Sequence, residues 1–365
     1  MFQFLLQLIR WLRGGTLRLL VLALIILMVW GITSPVGTMV WWLNQGAEGL
    51  GLKKHRHLSL PASNNSTLVG KSSNINCYII YLPGVGDFSG DELTEGEAYF
   101  LERLVQSHPN CVAVGDVFPY SAANKSLGGE RLFAPVWRWG RESKGWQTVT
   151  DLLLKIRNLW RFAISADPRY GTIYNQGIAN AIIDRMNAQH PIPQSPDKPI
   201  KIILAGTSGG IEVALGAAPY LKELVDANII IVSAGGVFNG RNGFNKLDSF
   251  YHLRGRRDWV EDIGAVVFPT RWLVNVGSEF NQARLQGRYT ARTIGPQTHD
   301  GPQGYFGQDI DREKGASYVD LTLQDINKLP IWEGKEIPQR RIKQGDIAPK
   351  KKGAAIQKSV SSARS

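Results

Sequence analysis

Between the β-rich run Lys201-Ile202-Ile203-Leu204-Ala205 and the small-residue helical run Ile211-Glu212-Val213-Ala214-Leu215-Gly216-Ala217-Ala218 stand five residues, Gly206-Thr207-Ser208-Gly209-Gly210. A strand must stop there and a helix must start at once. Glycines two residues either side of Ser208 let strand and helix approach closely enough to hold so sharp a turn. The serine hydroxyl then projects from the carboxyl end of a sheet, above a helix N-terminus that favours negative charge. This is the setting of a G-x-S-x-G nucleophile elbow. The five-residue pattern alone is weak, and the strand and helix around it supply its force.

The flanking sequence reads as alternating strands and helices. Cys77–Leu82 is an expected strand, closed by Pro83-Gly84-Val85-Gly86-Asp87. Glu95–Gln106 has helical spacing of Ala98, Phe100, Leu101, Leu104 and Val105, and Cys111–Val114 is the next strand. A long irregular stretch, 115–145, precedes expected helices over Trp146–Ile164 and Tyr174–Gln189. After the serine come strands at Ala227–Ser233, Ser249–Leu253 and Tyr289–Ile294. Such alternation predicts an α/β fold, a mostly parallel sheet covered by helices on both faces.

The chain is long enough, at 365 residues, for one large domain with extensions. Its net charge of +11 is unevenly spread. Residues 1–57 carry six cations against Glu48, a net +5. Residues 335–365 carry nine against Glu336 and Asp346, a net +7, which leaves the middle at about −1. A near-neutral core with basic ends lacks the basic face of a nucleic-acid-binding fold. It suits an anionic membrane surface as partner.

From Leu19 to Leu43 there is no charged residue, and Leu19–Trp30 is hydrophobic on every face. At about 1.5 Å per residue the run can cross a ~30 Å hydrocarbon core, with Trp41 and Trp42 where an interfacial belt belongs. A cleaved signal peptide would be shorter and followed by a small-x-small site, so an uncleaved anchor is the expectation. Ser34-Pro35 allows a kink or a shallow hairpin. Residues 2–13 have the pattern of a short interfacial helix. Three cations precede the span and three follow it, so charge leaves its orientation open. The division expected is an anchor over 1–57, a linker over 58–74, a catalytic domain over 75–334 with a lid segment at 115–145, and a basic disordered tail over 335–365.

The two cysteines, Cys77 and Cys111, each open an apolar strand, and buried free thiols are the plain expectation; a bridge requires those strands to be neighbours. No Cys/His cluster has metal-ligand spacing, and His55-Arg56-His57 sits among cations. No metal or cofactor is expected.

The elbow, the Pro83–Gly86 loop after an early strand and the order of elements resemble the α/β-hydrolase superfamily over about residues 74–310. The resemblance implies a serine hydrolase of esterase or lipase type, with the chain order Ser, then Asp or Glu, then His. His252 and His299 follow Ser208. His252 lies inside an expected strand and reads as structural. His299, in the glycine-rich loop Gly295–Gly301, matches the family's base. Asp258, in Arg254-Gly255-Arg256-Arg257-Asp258, matches the family's strand-Gly-x-x-Asp turn, and Glu279 is the alternative acid because the gap from Asp258 to His299 is long. Asp300 adjoins the base and is poorly placed to orient it. The oxyanion donors implied are the N–H groups of Gly209 and Val85, with Gly84 second; Pro83 stands where family members often carry histidine. Trp137, Trp139, Trp146 and Trp160 could line an acyl pocket or belong to the core. The substrate expected is a small acyl ester, a thioester or a lipid. The rival readings are an inactive membrane-tethered scaffold of the same fold, and an acyltransferase or peptidase using the same residues.

Overall fold

Six short runs rich in β-branched and aliphatic residues assemble into one parallel sheet. The computed structural model describes residues 75–85, 93–119, 158–159, 162–163, 165–167, 171–193 and 199–332. In chain order the elements are β1 (Cys77–Leu82), α1 (Glu95–Ser107), β2 (Cys111–Val114), α2 (Gly171–Gln189), β3 (Ile200–Thr207), α3 (Gly210–Leu224), β4 (Ala227–Ala234), β5 (Ser249–Gly255), α4 (Trp259–Val267), α5 (Glu279–Leu285), β6 (Tyr289–Ile294), a two-residue pair β7 (Ile310–Asp311) and β8 (Ala316–Ser317), and α6 (Tyr318–Asn327). The sheet order is β2-β1-β3-β4-β5-β6, every pairing parallel.

Both faces of the sheet are covered. Alternate residues of a strand point to opposite sides. Tyr78, Ile80 and Leu82 join Ile202, Leu204, Ile229 and Ile231 in a core with Ile178, Ile182 and Met186 of α2 and Val213, Leu215 and Leu221 of α3. On the other side Tyr81 meets Phe100 of α1 and Phe306, and its hydroxyl donates to the buried Glu97 carboxylate at 2.6 Å. Helix α1 starts on a capping box, in which Thr94 accepts from the Glu97 N–H and the Glu97 carboxylate accepts from the Thr94 N–H. The fold is therefore α/β with a parallel sheet, as the alternation predicts.

One expectation is overturned. Cys77 and Cys111 are not free thiols: they form a disulfide. The reason is register. β1 and β2 are neighbours, and Cys77 stands directly opposite Cys111, with Cα atoms 4.3 Å apart. Sequence order alone gives neither adjacency nor register.

The anchor over 1–57 with its 19–43 span, the linker, nearly all of 115–145, Trp137, Trp139, Trp146, Trp160 and the basic tail lie outside the described residues. Among the described residues no helix is long and apolar enough to cross a membrane.

Candidate active site

Ser208 occupies the turn between β3 and α3 and is the one non-glycine residue with positive φ among those described, at 46°. That backbone is unfavourable for an L-residue and persists only where its surroundings enforce it. Its carbonyl accepts from Val237 N at 2.9 Å and from Ile211 N at 3.3 Å. A Cβ on Gly206 or Gly210 would collide with the Leu82 carbonyl at the end of β1. The elbow glycines thus admit the neighbouring strand as well as the turn itself. The Pro83–Val85 loop closes over the serine from that side: a Cβ on Gly84 would lie 2.8 Å from Ser208 Cβ. The expected oxyanion loop is thereby against the expected nucleophile. Asn158 Nδ2 holds that loop by donating to the Val85 carbonyl at 3.1 Å.

Two strands away, β5 ends at Gly255 and the chain turns into α4. Asp258 is the N-cap of that helix, and its Oδ1 accepts from Val260 N and Glu261 N. The same carboxylate meets His299 Nδ1, at 2.9 Å from Oδ1 and 3.0 Å from Oδ2. Tyr305 Oη donates to Oδ2 at 2.7 Å while accepting from Gly255 N at 2.7 Å. Nδ1 therefore carries the donated proton, which leaves Nε2 as the basic nitrogen. Burial alone would raise the Asp258 carboxyl, but the hydrogen bond and charge of His299, with the Tyr305 hydroxyl, hold it below the usual carboxylate range. Burial likewise pushes His299 down, and the bond to Asp258 and its charge overcome this, leaving the imidazole above its ordinary value. Gly235 sits between the parts, its φ +61° and the space of its Cβ taken by Tyr305 and Asp258 Oδ2.

The alternative acid, Glu279, is engaged elsewhere. It opens α5 and accepts from Asn245 N at 3.2 Å. Tyr305, in contrast, has no signature in the sequence; only the fold carries its loop back to Asp258.

His252 belongs to a second, fully buried cluster. Its Nδ1 is 2.8 Å from Ser233 Oγ and its Nε2 3.1 Å from Glu261 Oε1. Arg254 and Arg271 also pair with Glu261, and the Arg271 guanidinium lies 4.1 Å from the centre of the Phe238 ring. Burial drives His252 down, which disfavours the imidazolium. The two guanidiniums are the cations paired with Glu261. Against its own burial, Glu261 is brought down to about 2 by His252 and Arg271. Ser233 Oγ also accepts from Gly236 N at 3.1 Å. The cluster thus links the turn after β4 to the first turn of α4, beside Asp258.

Among the described residues no group of three or more His, Cys, Asp or Glu side chains is placed to hold a metal ion. Compared with known proteins, the chain matches no family model and no curated protein at significant similarity.

Proposed function

We propose that this protein is a membrane-anchored serine hydrolase of α/β-hydrolase type, cleaving a carboxylic ester or thioester. The observation that carries the reading is the pairing of a serine forced into a positive-φ turn at the sheet's carboxyl end with a histidine hydrogen-bonded to a buried aspartate beyond the next two strands. Ser208 Oγ attacks the acyl carbonyl while His299 Nε2 takes its proton, then returns it to the leaving alcohol or thiol. Asp258 fixes the tautomer and stabilises the imidazolium. The N–H groups of Gly209 and Val85 receive the oxyanion. Water activated by the same histidine releases the acid. The uncharged run 19–43 is the tether. The Cys77–Cys111 bridge favours the oxidising side of the membrane for the domain.

Labelling with a fluorophosphonate probe tests this directly. The wild-type chain should label and Ser208→Ala should not, with unchanged circular dichroism. Label retained on Ser208→Ala would sink the mechanism.

A further inference from the structure

Helix α4 is inside out. Its buried residues are Glu261 and Gly264, the first held by His252 and Arg271 and the second packed against Val237. Its apolar side chains Trp259, Ile263, Val266 and Val267, on one face by helical spacing, are exposed, Val266 at 68%. The chain then turns through Pro269–Arg271 into Trp272-Leu273-Val274-Asn275-Val276. Here too the apolar side chains point outward, Val274 at 84%. The two stretches touch, since Trp272 Nε1 donates to the Val266 carbonyl at 3.0 Å.

The outward display is built. Asn281 Nδ2 donates to the carbonyls of Trp272 and Asn275, each at 2.8 Å, and Ser278 caps α5 below them. Two of the loop's carbonyls are tied inward while its apolar side chains are left out. From Trp259 to Ser278 the charged residues are Glu261 and Arg271, both buried, and Asp262, which is exposed and paired with Arg254. Helix α1 shows the ordinary arrangement, with Glu102, Arg103 and Gln106 outward and Phe100, Leu101 and Leu104 inward. Leaving so much apolar surface in water is unfavourable, and a contiguous patch of this kind marks a surface that is covered in use.

We infer that the outer face of α4 and the 272–276 loop dock on an anionic lipid bilayer. The inference rests on the membrane tether of the reading above. Three observations favour lipid over protein as the occupant. Tryptophans stand in both stretches of the patch, Trp259 and Trp272, and this residue prefers the interfacial layer. Arg256 and Arg257 are exposed immediately before Trp259, placed to meet lipid phosphates, and both chain ends are basic. The 31 residues from Asn44 to Asn74 reach at most ~110 Å when extended, so a span at 19–43 keeps the domain near its own membrane. Asp258 is the N-cap of α4, so docking brings the Asp258–His299 pair to the lipid surface. The substrate class that follows is an acyl ester of a bilayer lipid, entering from the same leaflet.

The test uses the full chain in nanodiscs of phosphatidylcholine and phosphatidylglycerol. Both native cysteines are in the bridge, so Val274→Cys, Val266→Cys and Glu102→Cys each offer a single thiol for the fluorophore NBD. A nitroxide-bearing phosphatidylcholine should quench the probe at 274 and at 266 at least twofold more than at 102. Equal quenching at the three positions overturns the inference. So does a blue-shifted but unquenched probe at 274, which would mean that protein, another segment or a second copy, covers the patch. If the chain fails to load into nanodiscs, the tether reading fails by itself. The labelled protein is then mixed with vesicles of the same lipids, and quenching at 274 and 266 decides the matter. Fluorophosphonate labelling of the same variants reports separately on the hydrolase reading.

Discussion

Two histidine–carboxylate pairs take their acids from the start of the same helix, three residues apart, and differ in nearly everything else. His299 and Asp258 meet in loops at the carboxyl edge of the sheet, and the imidazole is held above its ordinary value. His252 and Glu261 meet in the interior, with Ser233 on the other ring nitrogen, and the imidazole is driven down. The second cluster even contains serine, histidine and acid in hydrogen-bonding order. It has no use for a nucleophile, since Ser233, His252 and Glu261 are at most 1% exposed and no substrate reaches them. Charge explains the opposite shifts. Among the described residues Asp258 has no ion-pair partner other than His299, so its negative charge favours the imidazolium. Glu261 is already paired with Arg254 and Arg271, so burial wins at His252. The same side-chain set carries the proposed chemistry in one place and is locked into the interior in the other.

The sharpest way to break this contrast is to neutralise each acid. Asp258→Asn should lower kcat by roughly 10⁴ with little change in melting temperature, because the ring loses its orienting charge. Glu261→Gln should leave the folded protein within tenfold of wild-type kcat yet cost about 3–5 kcal/mol of stability, since the buried Arg271 loses its counter-charge while Arg254 keeps Asp262. Activity assays beside thermal melts decide it; exchanged outcomes would exchange the roles. If Glu279→Gln proved the damaging change in kcat, Asp258 would not be the acid.

Gly84→Ala sharpens the active half. The new methyl would sit 2.8 Å from Ser208 Cβ, so the nucleophile or the oxyanion loop must shift. Misplacement on this scale should cost about 10²-fold in kcat, with the melting temperature nearly unchanged. An unaffected kcat would remove the loop from the site.

Tyr305→Phe should act more mildly. Asp258 keeps His299 and its helix N–H groups, so kcat should fall about tenfold. Gly255 N–H loses its acceptor, which should lower stability by about 1–3 kcal/mol. A fall in kcat as large as that of Asp258→Asn would make the tyrosine part of the catalytic machinery.

The smallest expected effect is in the pH profile. In the proposed mechanism His299 works as a base when neutral, and its value is raised, so kcat/KM should decline on acidification with a midpoint above 6.5. In the residual activity of Asp258→Asn that midpoint should move down, because the charge that favours imidazolium is gone. A wild-type midpoint below 6.5 would contradict the environment described for the ring.

Much of the sheet was readable from residue patterns because five of its six strands, β1 to β5, are largely buried, while β6 mixes polar and apolar residues at an exposed edge. Cys77–Leu82, Cys111–Val114 and Tyr289–Ile294 have the expected bounds, and Ser208 stands between a strand and a helix as its glycines imply. What escaped depends on which elements become neighbours. The disulfide needed the register of β1 against β2. The long gap between Asp258 and His299 is filled by α4, the 268–278 turns, α5 and β6, so the two meet by return of the chain and not by sequence proximity. Helix α4 breaks the rule that apolar stripes face the core, because its buried face is made of a paired glutamate and a glycine. Tyr305 acts through one hydroxyl from a loop with no pattern of its own.

The sheet's two edges also fare differently as templates for other chains. β6 presents Arg292, exposed in its middle, and an edge carrying charge is a poor strand-pairing surface. β2 has four residues, no charge and, among the described residues, one strand neighbour. Were it to peel away, β1 would offer an uncharged edge, Cys77–Leu82, to any passing strand. The covalent link between Cys77 and Cys111 keeps that edge capped through local opening. Reduction should therefore show itself first as self-association through β1, before the rest of the domain melts.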